Sequence, residues 1–315
     1  MERDTSAHTH EQHRSERGRG ASAGMSKAVV GVVSTLAGGT FWGLSGTCAS
    51  FLFDVHHVDT LWLMSVRQIV AGAFFLIPIL LFERDRFKAL WTSRRDLPVF
   101  VVFALSGVLL NQFGYLLAVK LMNAGTATVL QCLQLIIVMV YACIRSHRAP
   151  RKREIAGVAL ALGGTYLIAT GGDPSTLTIP LEGLIVGLIA AVGAACMTII
   201  PTKLLATYGS ATVTGSGMLL SGIISCSFIR PWENPPALDA AGLAAFFVLA
   251  FVGSFLAYML YLQGVKDIGA LKAGLIGTVE PVSATITSAL LLGTVFSGTD
   301  IAGFAFIIIM VFLTV

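Results

Sequence analysis

Ten apolar segments, at about residues 28–53, 60–82, 98–119, 124–144, 154–171, 182–205, 210–229, 240–264, 269–292 and 298–315, leave little choice of architecture. A helix rising 1.5 Å per residue needs ~20 residues to cross the ~30 Å hydrocarbon core of a bilayer. No water is present there to satisfy the backbone, so only helices and closed barrels span it. Of the 315 residues, 55% are hydrophobic and 12% charged, the balance of a polytopic membrane protein rather than a soluble globule. The expected fold is therefore all-α, with ten transmembrane helices. The tenth segment is short: from Asp300 onward it reaches only ~24 Å. Either that helix is under-length or the chain stops inside it.

The loops orient the bundle. Arg84, Arg86, Lys88, Arg94 and Arg95 lie between spans two and three, and Arg145, Arg148, Arg151, Lys152 and Arg153 between four and five. Lys203, Lys266 and Lys272 mark later loops of the same side, with Arg3, Arg14, Arg17, Arg19 and Lys27 at the start of the chain. The alternate loops hold few basic groups, Lys120 being the dissenter. The excess of Lys and Arg places both termini in the cytoplasm of a multi-pass cell-membrane protein. Topology accounts for the charge, so no nucleic-acid partner is expected. Residues 1–27 are polar, lack apolar periodicity and are expected to form a disordered cytoplasmic tail; Met25 stands in it as an alternative start. His8, His10 and His13 there are too weak a cluster for a metal site, and no secretory signal precedes the first span. Five cysteines fall inside apolar runs without a CxxC pair, which points to packing rather than metal or disulfide chemistry.

Glu280 is the one acid deep within a span, near the middle of 269–292. A carboxylate at that depth costs several kcal/mol unless it faces the bundle interior or a wet cavity. Its helical neighbours Gly277, Ala273, Ser283, Ala284 and Thr287 form a small, polar face. Pro281 removes a backbone donor beside it and is the expected hinge. Because its protonation can differ between a wet and a dry conformation, Glu280 is the candidate for coupling a conformational change to protons or for reading an amine.

An internal repeat organises the rest. A shift of 146 residues places Tyr115 on Tyr261, Lys120 on Lys266, Ala124 on Ala270, Ala127 on Ala273, and the run at 154–157 on that at 300–303. It also places Gln134 opposite Glu280. Five spans per half, an odd count, make the halves inverted in the membrane: spans one to five at 28–171 and six to ten at 182–315. Inverted repeats are common in secondary transporters, with the binding site at the midplane between them.

With Phe41-Trp42-Gly43 in span one, Arg67 in span two, the AGTATVLQ of Ala124–Gln131 entering span four and Glu280-Pro281-Val282 in span nine, the chain resembles the EamA family of the drug/metabolite transporter superfamily over residues 28–315. The resemblance implies two five-helix repeats and transport of small metabolites, often amino acids or related amphiphiles and frequently as export. No cofactor is expected. One departure concerns span four, where family members usually carry Pro and this chain has Leu135; that leaves span nine as the expected broken helix.

Polar stripes at helical spacing suggest the path: Gly107, Asn111 and Tyr115 in span three; Thr128, Gln131, Gln134 and Tyr141 in four; Ser254, Tyr258 and Tyr261 in eight; Trp42 and Ser45 in one; Thr198 in six. In lipid such groups turn inward. The expected substrate path is Trp42, Asn111, Tyr115, Gln131, Gln134, Tyr258, Tyr261 and Glu280, suited to a small molecule with an apolar body and a polar head. The bland alternative is interhelical glue, worth ~0.6 kcal/mol per group. Arg67, about seven residues into its span, either snorkels, pairs with a loop acid or meets substrate. An enzyme would need a nucleophile–base pair or metal ligands, and no His lies inside any span, so no catalytic or metal site is expected. A channel would need a polar ring. A nucleotide-sugar or phosphate carrier of the same superfamily would need more cavity cations than Arg67.

Overall fold

The computed structural model describes the backbone of residues 5–175 and 177–314, and side chains from residue 27 onward except at 176, 270, 271, 275, 314 and 315. The expected tail at 1–27, with its histidines and Met25, thus falls almost wholly outside the described side chains.

The described elements are helical, with no strand among them. In chain order they are α1 (Thr5–Asp54), α2 (Thr60–Phe82), α3 (Arg84–Thr92), α4 (Leu97–Val102), α5 (Leu110–Leu121), α6 (Ala124–Gln131), α7 (Gln134–Arg145), α8 (Lys152–Thr170), α9 (Leu181–Ile199), α10 (Thr202–Tyr208), α11 (Ser210–Ile229), α12 (Ala240–Phe247), α13 (Ala257–Ile268), α14 (Ala270–Gly277), α15 (Val279–Leu292) and α16 (Gly298–Thr314). Two π-helical stretches, Phe103–Leu109 and Val248–Leu256, join α4 to α5 and α12 to α13.

Eight helical stretches among the described residues are long and apolar enough to cross a membrane: Lys27–Asp54, Thr60–Phe82, Leu97–Leu121, Ala124–Arg145, Leu181–Ile199, Ser210–Ile229, Ala240–Ile268 and Lys272–Leu292. The other two expected spans fall short of that standard. α8 carries Lys152, Arg153 and Glu154 in its first turn, and the apolar part of α16 is only Gly298–Leu313. These two pack on each other, with Gly164 and Gly303 at the crossing: a Cβ on either would sit 2.7 or 2.8 Å from the other's carbonyl oxygen.

Packing pairs helices from the first part of the chain with helices from the second. α2 lies along α11; α1 packs on α13 and α15; α9 packs on α5, α6 and α7. Local chemistry recurs at the same 146-residue offset. Ser93 Oγ accepts from Asp96 N (3.2 Å) at the start of α4, and Asp239 Oδ1 from Gly242 N (2.8 Å) at the start of α12. Glu154 Oε2 accepts from Arg151 N (2.6 Å), and Asp300 Oδ2 from Ser297 N (2.9 Å), so each acid satisfies a donor that a helix start leaves open. The π-helical stretches overlap at the offset, and each contains a glycine, Gly107 and Gly253, where the facing helix comes closest. A Cβ at Gly107 would lie 2.9 Å from Met197 Cα, and one at Gly253 would strike Ser45.

The helix breaks depart from expectation. Span nine is interrupted at Thr278, between α14 and α15. Span four is interrupted too, between α6 and α7, at the position the offset predicts. The expectation that span nine alone breaks is therefore corrected. At Cys132 and Leu133 the ladder tightens to i→i−3 bonds, from Cys132 N to Val129 O (3.1 Å) and from Leu133 N to Leu130 O (3.0 Å), followed by two more of the kind. A 3₁₀ turn breaks the helix without a proline. Pro281 itself stands in the first turn of α15, where its missing N–H has no helical partner to lose.

Candidate substrate cavity

Gly43 is where the site begins. A Cβ there would lie 2.6 Å from both Ala284 N and the carbonyl oxygen of Glu280, so only glycine lets α1 come this close to the first turn of α15. Hydrogen bonds fix the approach: Ser283 Oγ donates to Thr40 O (3.0 Å), and Thr47 Oγ1 meets Thr287 Oγ1 (2.6 Å). The preceding residue, Trp42, is thereby set beside the broken helix. Its ring packs edge-on to Tyr258 (centroids 5.0 Å) and at a tilt to Tyr261 (5.1 Å), both on α13.

These rings form one wall of a cavity of about 530 Å³, large enough for a small metabolite. All eight residues expected on the path line it: Trp42, Asn111, Tyr115, Gln131, Gln134, Tyr258, Tyr261 and Glu280. Pro281 lines it as well. Gln134 opens α7 and Glu280 stands second in α15, so each sits at the start of the second half of a broken span. Joined to the aromatic wall through Tyr258 is a polar one: Gln131 Nε2 donates to Asn111 Oδ1 (2.7 Å), and Asn111 Nδ2 and Tyr258 OH both approach Met197 Sδ, at 3.7 and 3.8 Å. The polar wall is thus held by a network reaching across α5, α6, α9 and α13.

Not every residue of the expected stripes reaches the cavity. Thr128 lies behind it, paired with Tyr115 OH (3.1 Å) while donating to Ala124 O (2.7 Å). Ser254 is buried and bonds Arg67 instead of facing the space. Tyr141, two turns beyond Gln134 on the same helix, is exposed and lies outside the cavity lining. Ser45 and Thr198 do line the cavity.

Arg67 was left open by the sequence, and the structure places it in the cavity wall, only 4% exposed. It neither snorkels nor pairs with a loop acid. Its Nε donates to Ser254 Oγ (2.7 Å), and its Nη1 is buried without a hydrogen-bond partner. Gln112 is a further residue that the stripes missed; it lines the cavity with a buried, unpartnered Oε1. Neither role had a spacing signal: that of Arg67 depends on the partner a neighbouring helix supplies, and Gln112 stands beside Asn111 rather than at helical spacing from it.

The comparisons with known proteins agree with this architecture. The model of the EamA-like transporter family matches residues 29–170 and again 181–315. Over 273 residues the chain is 31% identical to the uncharacterized inner membrane transporter YicL of Salmonella typhimurium, covering 87% of this chain and 91% of the relative. An uncharacterized transporter of Clostridium kluyveri is 23% identical over 290 residues, 89% of this chain and 91% of its own. A solved crystal structure superposes with a TM-score of 0.61 at 17% identity, over 92% of this chain and 96% of the other, and so shares the fold. Matched twice along its length, this multi-pass membrane protein belongs to the EamA-like transporter family.

Proposed function

We propose that the protein is a secondary transporter that moves a small metabolite, an amino acid or related amphiphilic compound, out across the cell membrane by alternating access. The observation that carries the reading is the cavity: seven path residues chosen from polar stripes line one space together with Glu280, the deep acid. In this reading α8 and α16 are also spans, giving ten. Residues 28–171 and 182–315 are inverted repeats, with 1–27 a cytoplasmic tail. The capping pairs, π-helical stretches and helix breaks that recur 146 residues apart support the repeat. Glu280 is the coupling residue and Pro281 marks the hinge.

The form described suits loading from the cytoplasm. The cavity lining runs to Pro201, Leu205 and Ser210, around the α10–α11 turn. Basic loops assign that turn to the inner face. Toward the other face lies a packed apolar cluster of Ala49, Leu52, Phe53, Val58 and Leu63. A nucleotide-sugar or phosphate carrier is the less favoured reading, because Arg67 is the one cation in the wall among the described residues. The test is a proteoliposome screen with amino acids, amines and nucleosides, with and without a pH gradient. Saturable accumulation of a compound in one of these classes is expected. Its absence throughout the screen overturns the reading, and an ohmic conductance makes the protein a channel.

A further inference from the structure

The cavity wall carries two ionisable side chains of opposite kind, Arg67 and Glu280. Among the described residues they make no ion pair with each other or with any other side chain. Arg67 is not loose. Its Nε is taken by Ser254 Oγ, and the Ser254 hydroxyl is in turn committed as a donor to Leu249 O (2.9 Å) in the π-helical stretch, so toward Arg67 it accepts. That contact fixes the plane of the guanidinium and uses one nitrogen. The terminal pair of nitrogens has no hydrogen-bond partner among the described residues, and Nη1 is fully buried. Unpaired buried donors on a charged group are costly, and a fixed planar fork of N–H groups fits the two oxygens of a carboxylate. Among the described residues Glu280 has no side-chain hydrogen-bond or ion-pair partner, and the Trp42, Tyr258 and Tyr261 rings stand in the same wall.

We propose that Arg67 is a carboxylate subsite and that the cargo is a zwitterion, its carboxylate on the Arg67 fork, its ammonium at Glu280 and its apolar body against the Trp42–Tyr258–Tyr261 rings. Charge balance selects the cargo. A simple amine satisfies Glu280 and leaves the Arg67 guanidinium buried and unpaired as the site closes. A simple acid does the reverse. A molecule with both poles and no net charge satisfies both, and leaves no uncompensated charge for the dry state. The proposal rests on the transport reading for the identity of the cavity as the cargo site, and it stands or falls on binding alone.

The experiment measures equilibrium binding to the purified full-length protein in detergent at pH 7, with flux in proteoliposomes measured separately. The probes are L-phenylalanine, phenethylamine and 3-phenylpropionate, and the matching trio on an aliphatic body, L-leucine, isoamylamine and 4-methylvalerate. At least one zwitterion is expected to bind about tenfold or more tighter than both of its single-charge analogues, because a site built for a polar group rejects ligands that lack it. Arg67→Gln should remove the preference over the amine and Glu280→Gln the preference over the acid. Ser254→Ala keeps both charges but frees the fork, and should weaken carboxylate-bearing probes while sparing the amines; it serves if Arg67→Gln does not fold. The proposal is overturned if no zwitterion binds, if an analogue equals its zwitterion, or if the variants weaken all three probes of a trio alike. Selective binding without flux supports the subsite and counts against the transport reading.

Discussion

A single acid in an apolar helix is tolerated here because of its immediate surroundings. Glu280 starts a half-helix, where backbone N–H groups favour a negative charge, and it faces a cavity rather than lipid. A carboxyl so placed can exchange its proton in a wet conformation and hold it in a closed one, which links protonation to the conformational equilibrium. Glu280→Gln keeps the shape and fixes the neutral form. It is expected to abolish pH-gradient-driven accumulation in proteoliposomes while leaving substrate exchange partly intact. A Gln variant that still accumulates substrate with the wild-type pH dependence would make Glu280 structural. At this scale the sequence was informative about orientation and silent about partnership. Helical spacing put Trp42, Asn111, Tyr115, Gln131, Gln134, Tyr258 and Tyr261 on inward faces, and all of them line the cavity. Spacing along one helix cannot say that Ser254 is spent on Arg67 or Thr128 on Tyr115, because those bonds depend on how helices meet.

Among the elements, close approach rather than hydrophobicity decides the packing. Gly107 and Gly253 each lie in a π-helical stretch, against Met197 and Ser45 of the facing helices. Gly253→Leu is expected to force α1 away and to destabilise the protein by about 1–3 kcal/mol, the usual range for overpacking. The readout is a lower unfolding temperature in detergent. Gly298→Ala, with nothing within 4 Å of the added carbon, is the matched control and should change little. A second contact tests the membrane edge. The Tyr208 hydroxyl donates to Asp96 Oδ2 (2.7 Å) and, with a smaller contribution from Ser93, holds the Asp96 carboxyl below its ordinary 3.8. A carboxyl lowered on folding contributes stability above its unfolded value and loses it as pH falls through the folded one. The wild type should therefore exceed Tyr208→Phe in unfolding temperature by a constant margin from pH 7 to about 5, and the margin should vanish at the acid end of a titration. The span-four break explains the limit of the sequence at this scale. Pro281 advertises one interruption, whereas the turn at Cys132–Leu133 is built from backbone bonds that any residues can make.

For the whole molecule, orientation follows from charge, and the alternating-access reading depends on it. In the export reading the described form exposes the cavity toward Leu205 and Ser210 and closes it behind the cluster around Leu52 and Leu63. The basic loop at 145–153 and the α10–α11 turn should then lie on one side, and the loop at 230–239 on the other. All five native cysteines lie within expected spans, so a cysteine-free background is the starting point. A cysteine at Arg151 should react with a membrane-impermeant thiol reagent only after the cells are opened, and one at Glu233 in intact cells. A cysteine at Ser210 should react from the inner side, and its reactivity should fall when a transported substrate is present, because a closing site removes the probe's route. A cysteine at Leu52 should show the opposite response if the same ligand favours the outward form. Labelling of Arg151→Cys from outside would invert the topology and with it the direction assigned to the cavity. Substrate-independent labelling at both Ser210 and Leu52 would leave a cavity that does not alternate, and a transporter mechanism would have to be abandoned in favour of a static pore.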